Sequence, residues 1–375
     1  MEDQNDILDS FTATLAREIA LAPTPEPVTP LPVDYWIAMS ALQKSIRRGQ
    51  VGLARAAAAR LLSAGNYLVW HHLVGISFQD IGLADIDTVG LAVAACGGRR
   101  VRNALGGDLK VLSYLCARMC SAKKSRASDD LRMSIERLPN LEQRRSMFLR
   151  TPNTELRSIV ASQQSLPVRG LALWCLCGAN SYSSKKYVAP RRGYPSQVFR
   201  LLSELETSPT ILALARTAHY GGAHTVAPLT ALISTEADLT EPLYADDTLP
   251  PEIVVDGIPS WIMDRFSPTG RLAFSMFLDE TSETGVFLKR HVPPLRRWDI
   301  LEDGLFHIEE ARLINRCKLP LFEDLRRLNE EDCILVDREF LYEFLGTLKN
   351  DLPILSQIRA NLIKATLDGR IPSSY

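Results

Sequence analysis

The sequence lacks a Gly-Lys pair anywhere in its 375 residues, and with it the GxxxxGK[ST] loop whose backbone amides cradle phosphate in P-loop ATPases. It also lacks a GxSxG elbow, so the nucleophile of an α/β-hydrolase has no place to sit. Its seven cysteines are odd in number and scattered. Cys116 and Cys120 lie one helical turn apart and Cys175 and Cys177 form a CxC, but no two CxxC pairs exist to hold a structural zinc ion, and buried reduced thiols are expected. Apolar runs break well before the ~20 residues that a membrane helix needs. The first twenty residues carry Glu2, Asp3, Asp6, Asp9 and Glu18, the reverse of a basic signal-peptide start. These absences lead to the expectation of a cytoplasmic protein with no membrane partner, no metal, no cofactor and no enzymatic activity of its own.

What is present is ordinary globular material, 46% hydrophobic and 23% charged, with length for two or three domains. Apolar residues recur at helical spacing along most of the chain, so the expected class is all-α. Residues 1–34 read as an acidic leader, with Phe11, Leu15 and Ile19 near one face, followed by a stiff spacer containing Pro23, Pro25, Pro27, Pro30 and Pro32. Residues 35–138 read as a compact domain of five short helices. In its first helix Trp36, Met39, Leu42 and Ile46 mark the core face, Lys44, Arg47 and Arg48 point elsewhere, and Gly49 stops the helix. A helical region follows over 139–235, then an acidic, proline-containing linker over 236–252, then a helical C-terminal region over 253–375.

The net charge of −1 conceals a segregation. Arg99 to Arg150 holds thirteen Lys and Arg against five Asp and Glu, whereas Met1 to Asp34 holds seven acids and one arginine. Basic charge gathered in one segment can answer phosphate. Lys123, Lys124, Arg126, Arg144 and Arg145 are therefore the first candidates for nucleic-acid contacts. A second set comes from "SKKYVAPRRGY", where Lys185, Lys186, Arg191 and Arg192 stand beside Tyr187 and Tyr194, a mixture suited to phosphates and stacked bases.

Other motifs carry less chemistry. "AFSMFLDE" (Ala273 to Glu280) imitates the Asp-Glu of a magnesium-holding strand, but its apolar residues follow helical spacing. His219 and His224 lie five apart across two glycines with no third ligand nearby. "KLPLF", Lys318 to Phe322, resembles a bacterial sliding-clamp peptide in which glutamine takes the place of Lys318. Helix-flanking core is the expected role of Leu319, Leu321 and Phe322.

One resemblance bears on function. "SALQKSIRRG" (Ser40 to Gly49), "GISFQDIGLAD" (Gly75 to Asp85), "LAVAA" (Leu91 to Ala95) and "YLCARMCSAKKS" (Tyr114 to Ser125) follow in order. Residues 35–131 resemble the C-terminal helical region of the replication-associated recombination protein A family, the MgsA/RarA group of bacterial AAA+ ATPases. The resemblance implies replication or repair context and helical oligomerisation, with the ATPase module itself missing. Asp80, Gly82 and Asp85 form the structural hook of the motif. Capping of the following helix is the expected role of both Asp80 and Asp85, with glycine permitting the turn. The expected function is a noncatalytic DNA replication or repair accessory protein that forms a homo-oligomer and contacts DNA. The alternative is a scaffold for a separate AAA+ ATPase or sliding clamp without nucleic-acid contact.

Overall fold

Helices dominate, as the apolar spacing and the frequent glycine breaks imply, and the chain is all-α. The computed structural model describes residues 4–65, 68–178, 191–334 and 336–370. Among them the first helices are α1 (Gln4–Leu21), α2 (Tyr35–Arg48), α3 (Val51–Ser63), α4 (Val69–Ile76), α5 (Ile86–Cys96), α6 (Arg99–Ala104) and α7 (Asp108–Ser121). Next come α8 (Ala127–Arg137), α9 (Glu142–Phe148), α10 (Asn153–Val160), α11 (Leu166–Cys177), α12 (Pro195–Glu204), α13 (Pro209–Tyr220) and α14 (Val226–Ile233). Three short strands follow, β1 (Leu243–Ala245), β2 (Val254–Val255) and β3 (Ile258–Pro259), then α15 (Pro268–Asp279), α16 (Glu283–His291) and α17 (Arg297–Leu305). The chain ends with β4 (Arg316–Lys318), α18 (Pro320–Asp332) and α19 (Arg338–Leu367). Two helices widen into a five-residue π turn: α4 continues as Ser77–Ile81 and α17 as Phe306–Glu310.

The chain divides into two interleaved units, which differ from the boundaries expected at residues 138 and 236–252. The first comprises Met1–Pro25, Tyr67–Ala245 and Asn315–Cys333. The second comprises Glu26–Asn66, Asp246–Ile314 and Ile334–Tyr375. Local sequence pattern cannot show this, because the two helices after the proline run find their partners some two hundred residues later.

In the first unit α1 packs on α5 and α13, with Leu15 and Ile19 buried. The ring of Phe11 occupies the space above Gly90, where an added Cβ would fall 2.2 Å from Phe11 Cε1. The acidic leader is thus core of this unit and not a tethered peptide. The expected acidic linker is also partly built in: β1 pairs antiparallel with β4, setting Leu243 opposite Lys318 and Ala245 opposite Arg316.

In the second unit α2 and α3 form a helical hairpin. Asp34 caps α2 by accepting from the Ile37 amide (2.9 Å), and Gly49 closes it with φ +69°. Trp36, expected in the core, is 45% exposed, while Lys44, Arg47 and Arg48 are buried. Both faces of α2 are therefore covered. The 30-residue α19 packs against α15, α16 and α17 of the same unit.

Candidate functional site

The hook is built where α4 gives way to its π turn. Gly82 takes φ +52° and ψ −136°, a conformation open to glycine alone, and a Cβ there would meet the Ser125 carbonyl oxygen at 3.3 Å. This close approach lets the Ser125 amide donate to the Asp80 carbonyl (3.1 Å). Asp85 Oδ1 accepts from the Thr88 amide (3.0 Å), which caps α5.

Asp80, expected as a second cap, is instead a buried ion-pair partner: its charge is met by Arg126, whose Nη1 donates to Oδ1 at 2.8 Å. Arg126 Nη2 donates to Asp129, and its Nε lies 4.0 Å from Asp130 Oδ1. Arg132 extends the network to Asp129 (2.7 Å) and Glu136 (3.0 Å). From α18, Asn329 Nδ2 donates to the Asp130 carbonyl (2.9 Å) and carboxylate (3.1 Å). Burial pushes the Asp130 carboxyl up to about 7, with Asp129 adding to the rise and Arg126, Arg326 and Asn329 opposing it. The geometry agrees: Arg126 reaches Asp130 only at 4.0 Å while it grips Asp80 and Asp129 closely, and Arg326 is paired with Glu330 at 2.9 Å.

Most of the expected phosphate contacts lie inside the fold. Lys124 is fully buried, and its Nζ donates to the Cys120 and Ala122 carbonyls (2.8 Å each) at the C-terminal end of α7. Arg145 is buried likewise, with Nη1 on the Ile135 and Leu138 carbonyls (3.0 Å each) at the end of α8. Arg191 is half-buried and donates to the carbonyls of Phe148 (2.9 Å), Leu149 (2.6 Å) and Thr151 (2.8 Å) after α9. A helix C-terminus presents unpaired carbonyls and the negative end of the dipole, and a cation is the natural cap. Lys124, Arg126 and Arg145 are accordingly corrected from phosphate contacts to internal groups, and Arg191 is anchored to backbone. Lys123, Arg144 and Arg192 remain exposed. Lys123 Nζ sits 4.3 Å from the Tyr244 ring centroid and Arg192 lies 5.7 Å from that of Tyr194. Lys185 and Lys186 lie outside the described residues.

The minor motifs resolve simply. Ala273, Phe274 and Phe277 of "AFSMFLDE" are buried on one face of helix α15, with Asp279 and Glu280 outside. His219 Nδ1 is hydrogen-bonded to the His224 carbonyl, and no group of three or more metal-ligating side chains occurs among the described residues. Leu319 and Phe322 of "KLPLF" are buried where β4 enters α18, with Leu321 half-buried. Six of the seven cysteines are buried, all are free, and burial pushes the Cys175 thiol up to about 12. No helix among the described residues is long and apolar enough to cross a membrane.

A second buried ionic cluster, in the second unit, has no counterpart among the sequence expectations. Lys44 Nζ donates to the Trp261 carbonyl (3.0 Å) and pairs with Asp264 (3.2 Å) and Glu310 (3.3 Å). Burial raises the Asp264 carboxyl, but Lys44 and the hydrogen bonds around it outweigh that and hold it below the ordinary value. Arg48 Nη2 donates to the Glu309 carbonyl (3.2 Å) with its guanidinium 4.2 Å from the Trp261 ring centroid. Arg359, fully buried, donates from Nη1 to Glu309 Oε2 (2.7 Å). The one signal in the sequence was the density of cations on α2, which a helix with a single apolar face would not need.

Comparison of the chain with models of known families, with curated proteins and with solved structures gave no match.

Proposed function

We propose that this chain is a noncatalytic accessory protein of DNA replication or repair that acts by assembly. Its RarA-type helical region self-associates and pairs with a separate AAA+ ATPase or sliding clamp. The observation that carries this reading is the destination of the hook's charges. Asp80 and Asp129 close on Arg126 and Lys124 closes on the end of α7, so these charges of the segment resembling the RarA oligomerisation region serve as framework and not as phosphate contacts. A framework of internally satisfied ions keeps its geometry whatever binds outside it, which suits a scaffold.

DNA contact is the second reading, favoured by two exposed cation and tyrosine pairs, Lys123 with Tyr244 and Arg192 with Tyr194. Light scattering of the purified chain, with fluorescent single- and double-stranded DNA titrated at two salt concentrations, separates the two. The scaffold reading expects a defined oligomer whose DNA affinity is weak and unchanged by reversing Lys123, Arg144 and Arg192 to glutamate. A chain that stays monomeric over the whole concentration range overturns it. Tight DNA binding that collapses with salt and with those reversals transfers the conclusion to the second reading.

A further inference from the structure

The second unit holds a cleft of about 570 Å³, open to solvent on one side and within the range of small-molecule sites. None of its lining residues belongs to either ionic cluster. Ile37 of α2, Ile262 and Met263 after β3, and Ile363 and Leu367 of α19 supply apolar walls. All but Leu367 are buried and fixed by regular structure, so the cavity is preformed. Its rim includes Pro30 and Pro32, and Leu31 between them is buried and adds to the apolar lining.

One cation faces this apolar space. Arg60, on α3, lines the cavity and is half-buried, and its Nε donates to the Val33 carbonyl at 2.7 Å. That bond fixes the plane of the guanidinium while no acceptor among the described residues engages its Nη atoms. The neighbouring carboxylate of Asp34 is turned to the α2 N-terminus, where Oδ1 holds the Ile37 amide (2.9 Å). A planar fork with free N–H groups at the edge of an apolar chamber is built to receive a carboxylate two hydrogen bonds at a time.

We propose that this cavity binds a small amphipathic carboxylate, an apolar chain or ring with an anionic head, placing the body between α2 and α19 and the head on Arg60. This assignment is independent of the scaffold reading, since it uses no residue of the hook and no partner protein.

Calorimetric titration of the full chain with decanoate, decanol and decylammonium tests it. Decanoate binds at least tenfold more tightly than decanol, and decylammonium more weakly than either. Arg60→Met keeps the aliphatic stem against α3, removes the fork, and brings decanoate and decanol to equal affinity. Ile363→Trp fills the chamber and abolishes binding of both, with far-ultraviolet circular dichroism verifying that the helices persist. Equal affinity for decanoate and decanol in the unmodified chain overturns the proposal, as does a decanoate preference that survives Arg60→Met. Absence of decanoate binding below its micellar concentration also overturns it.

Discussion

The two π turns repeat one device in two units. In the first, Gly75 stands two residues ahead of Ser77–Ile81, and the fourth residue of the turn, Asp80, is a buried acid gripped by Arg126. In the second, Gly304 stands two residues ahead of Phe306–Glu310, and the fourth residue, Glu309, is a buried acid gripped by Arg359. A π turn adds one residue to the helical circuit and rotates the side chains beyond it. In both turns the fourth residue is an acid that lies in the core. The units differ in how the arginine is used. Arg126 meets Asp80 and Asp129 together with only its Nε lacking a hydrogen bond, whereas Arg359 pairs with the one acid Glu309 and its Nε and Nη2 are buried without a hydrogen bond among the described residues.

This difference sets the largest expected effects. Arg126→Met removes the arginine bridge to Asp80 and one of the two arginines on Asp129 in the dry interior of the first unit, and lowers stability by about 4 kcal/mol, the cost typical of breaking a buried pair. Arg359→Met strands one carboxylate while also relieving two unsatisfied nitrogens, so its cost is about 3 kcal/mol. Urea unfolding measures both. The comparison sharpens in the double variants. Adding Glu309→Gln to Arg359→Met recovers stability to within about 1 kcal/mol of the natural chain, because nothing charged is left behind. Adding Asp80→Asn to Arg126→Met does not, because Asp129 remains. Equal recovery in both units would show that Asp129 draws enough from Arg132 to stand alone.

The next effect belongs to the first unit only. Asp130 is its most weakly paired buried acid, with a folded-state value raised by burial to about 7. A carboxyl raised on folding holds extra protons in the native state between its unfolded and folded values, so the contribution of this group is fully present below about pH 4 and is lost as pH climbs through 7. Arg126, Asp129, Arg326 and Asn329 face this group. Asp130→Asn keeps an acceptor for Asn329 and removes the charge. It is expected to match the natural chain at pH 4 and to exceed it by about 2 kcal/mol at pH 8, read from urea midpoints at the two pH values. A pH-independent gap would mean that Asp130 is ionised throughout and that the salt bridge to Arg126, long as it is, carries the charge.

How much of this was legible depended on distance along the chain. The all-α class follows from spacing alone, and the hook could be read from "QDIGLAD" because Gly82 and the cap Asp85 act within a few residues of themselves. Phe11, Leu15 and Ile19 were recognised as a face, yet the surface that covers them includes Gly90, which no local pattern links to α1. The basic segment misled because counting cations does not count carbonyls. Lys124, Arg145 and Arg191 answer helix ends, and those acceptors belong to every sequence alike. Lys44, Arg47 and Arg48 were assigned outward by helical periodicity, a rule that fails when the opposing acids, Asp264, Glu309 and Glu310, arrive from more than two hundred residues away. Glu309 and Arg359 were illegible for the same reason, with fifty residues between them.

The smallest expected effects decide whether the repeated glycine is part of the device. If a π turn itself demanded glycine two residues earlier, Gly75→Ala and Gly304→Ala would cost alike. The surroundings argue otherwise. A Cβ at Gly304 would fall 2.6 Å from Leu348 Cδ2 and 2.7 Å from Phe344 Cε1, so α19 requires the bare backbone there. A Cβ at Gly75 meets only the Gly222 carbonyl oxygen, at 3.4 Å, an ordinary contact. Gly304→Ala is therefore expected to lower stability by about 1–2 kcal/mol through overpacking. Gly75→Ala is expected to be neutral or to gain up to about 1 kcal/mol from alanine's better helix propensity. Thermal midpoints of the two variants measure the difference. A matching loss at Gly75 would place the requirement in the π turn and make the two glycines one feature; a split, as expected, makes them two packing solutions that share a spacing.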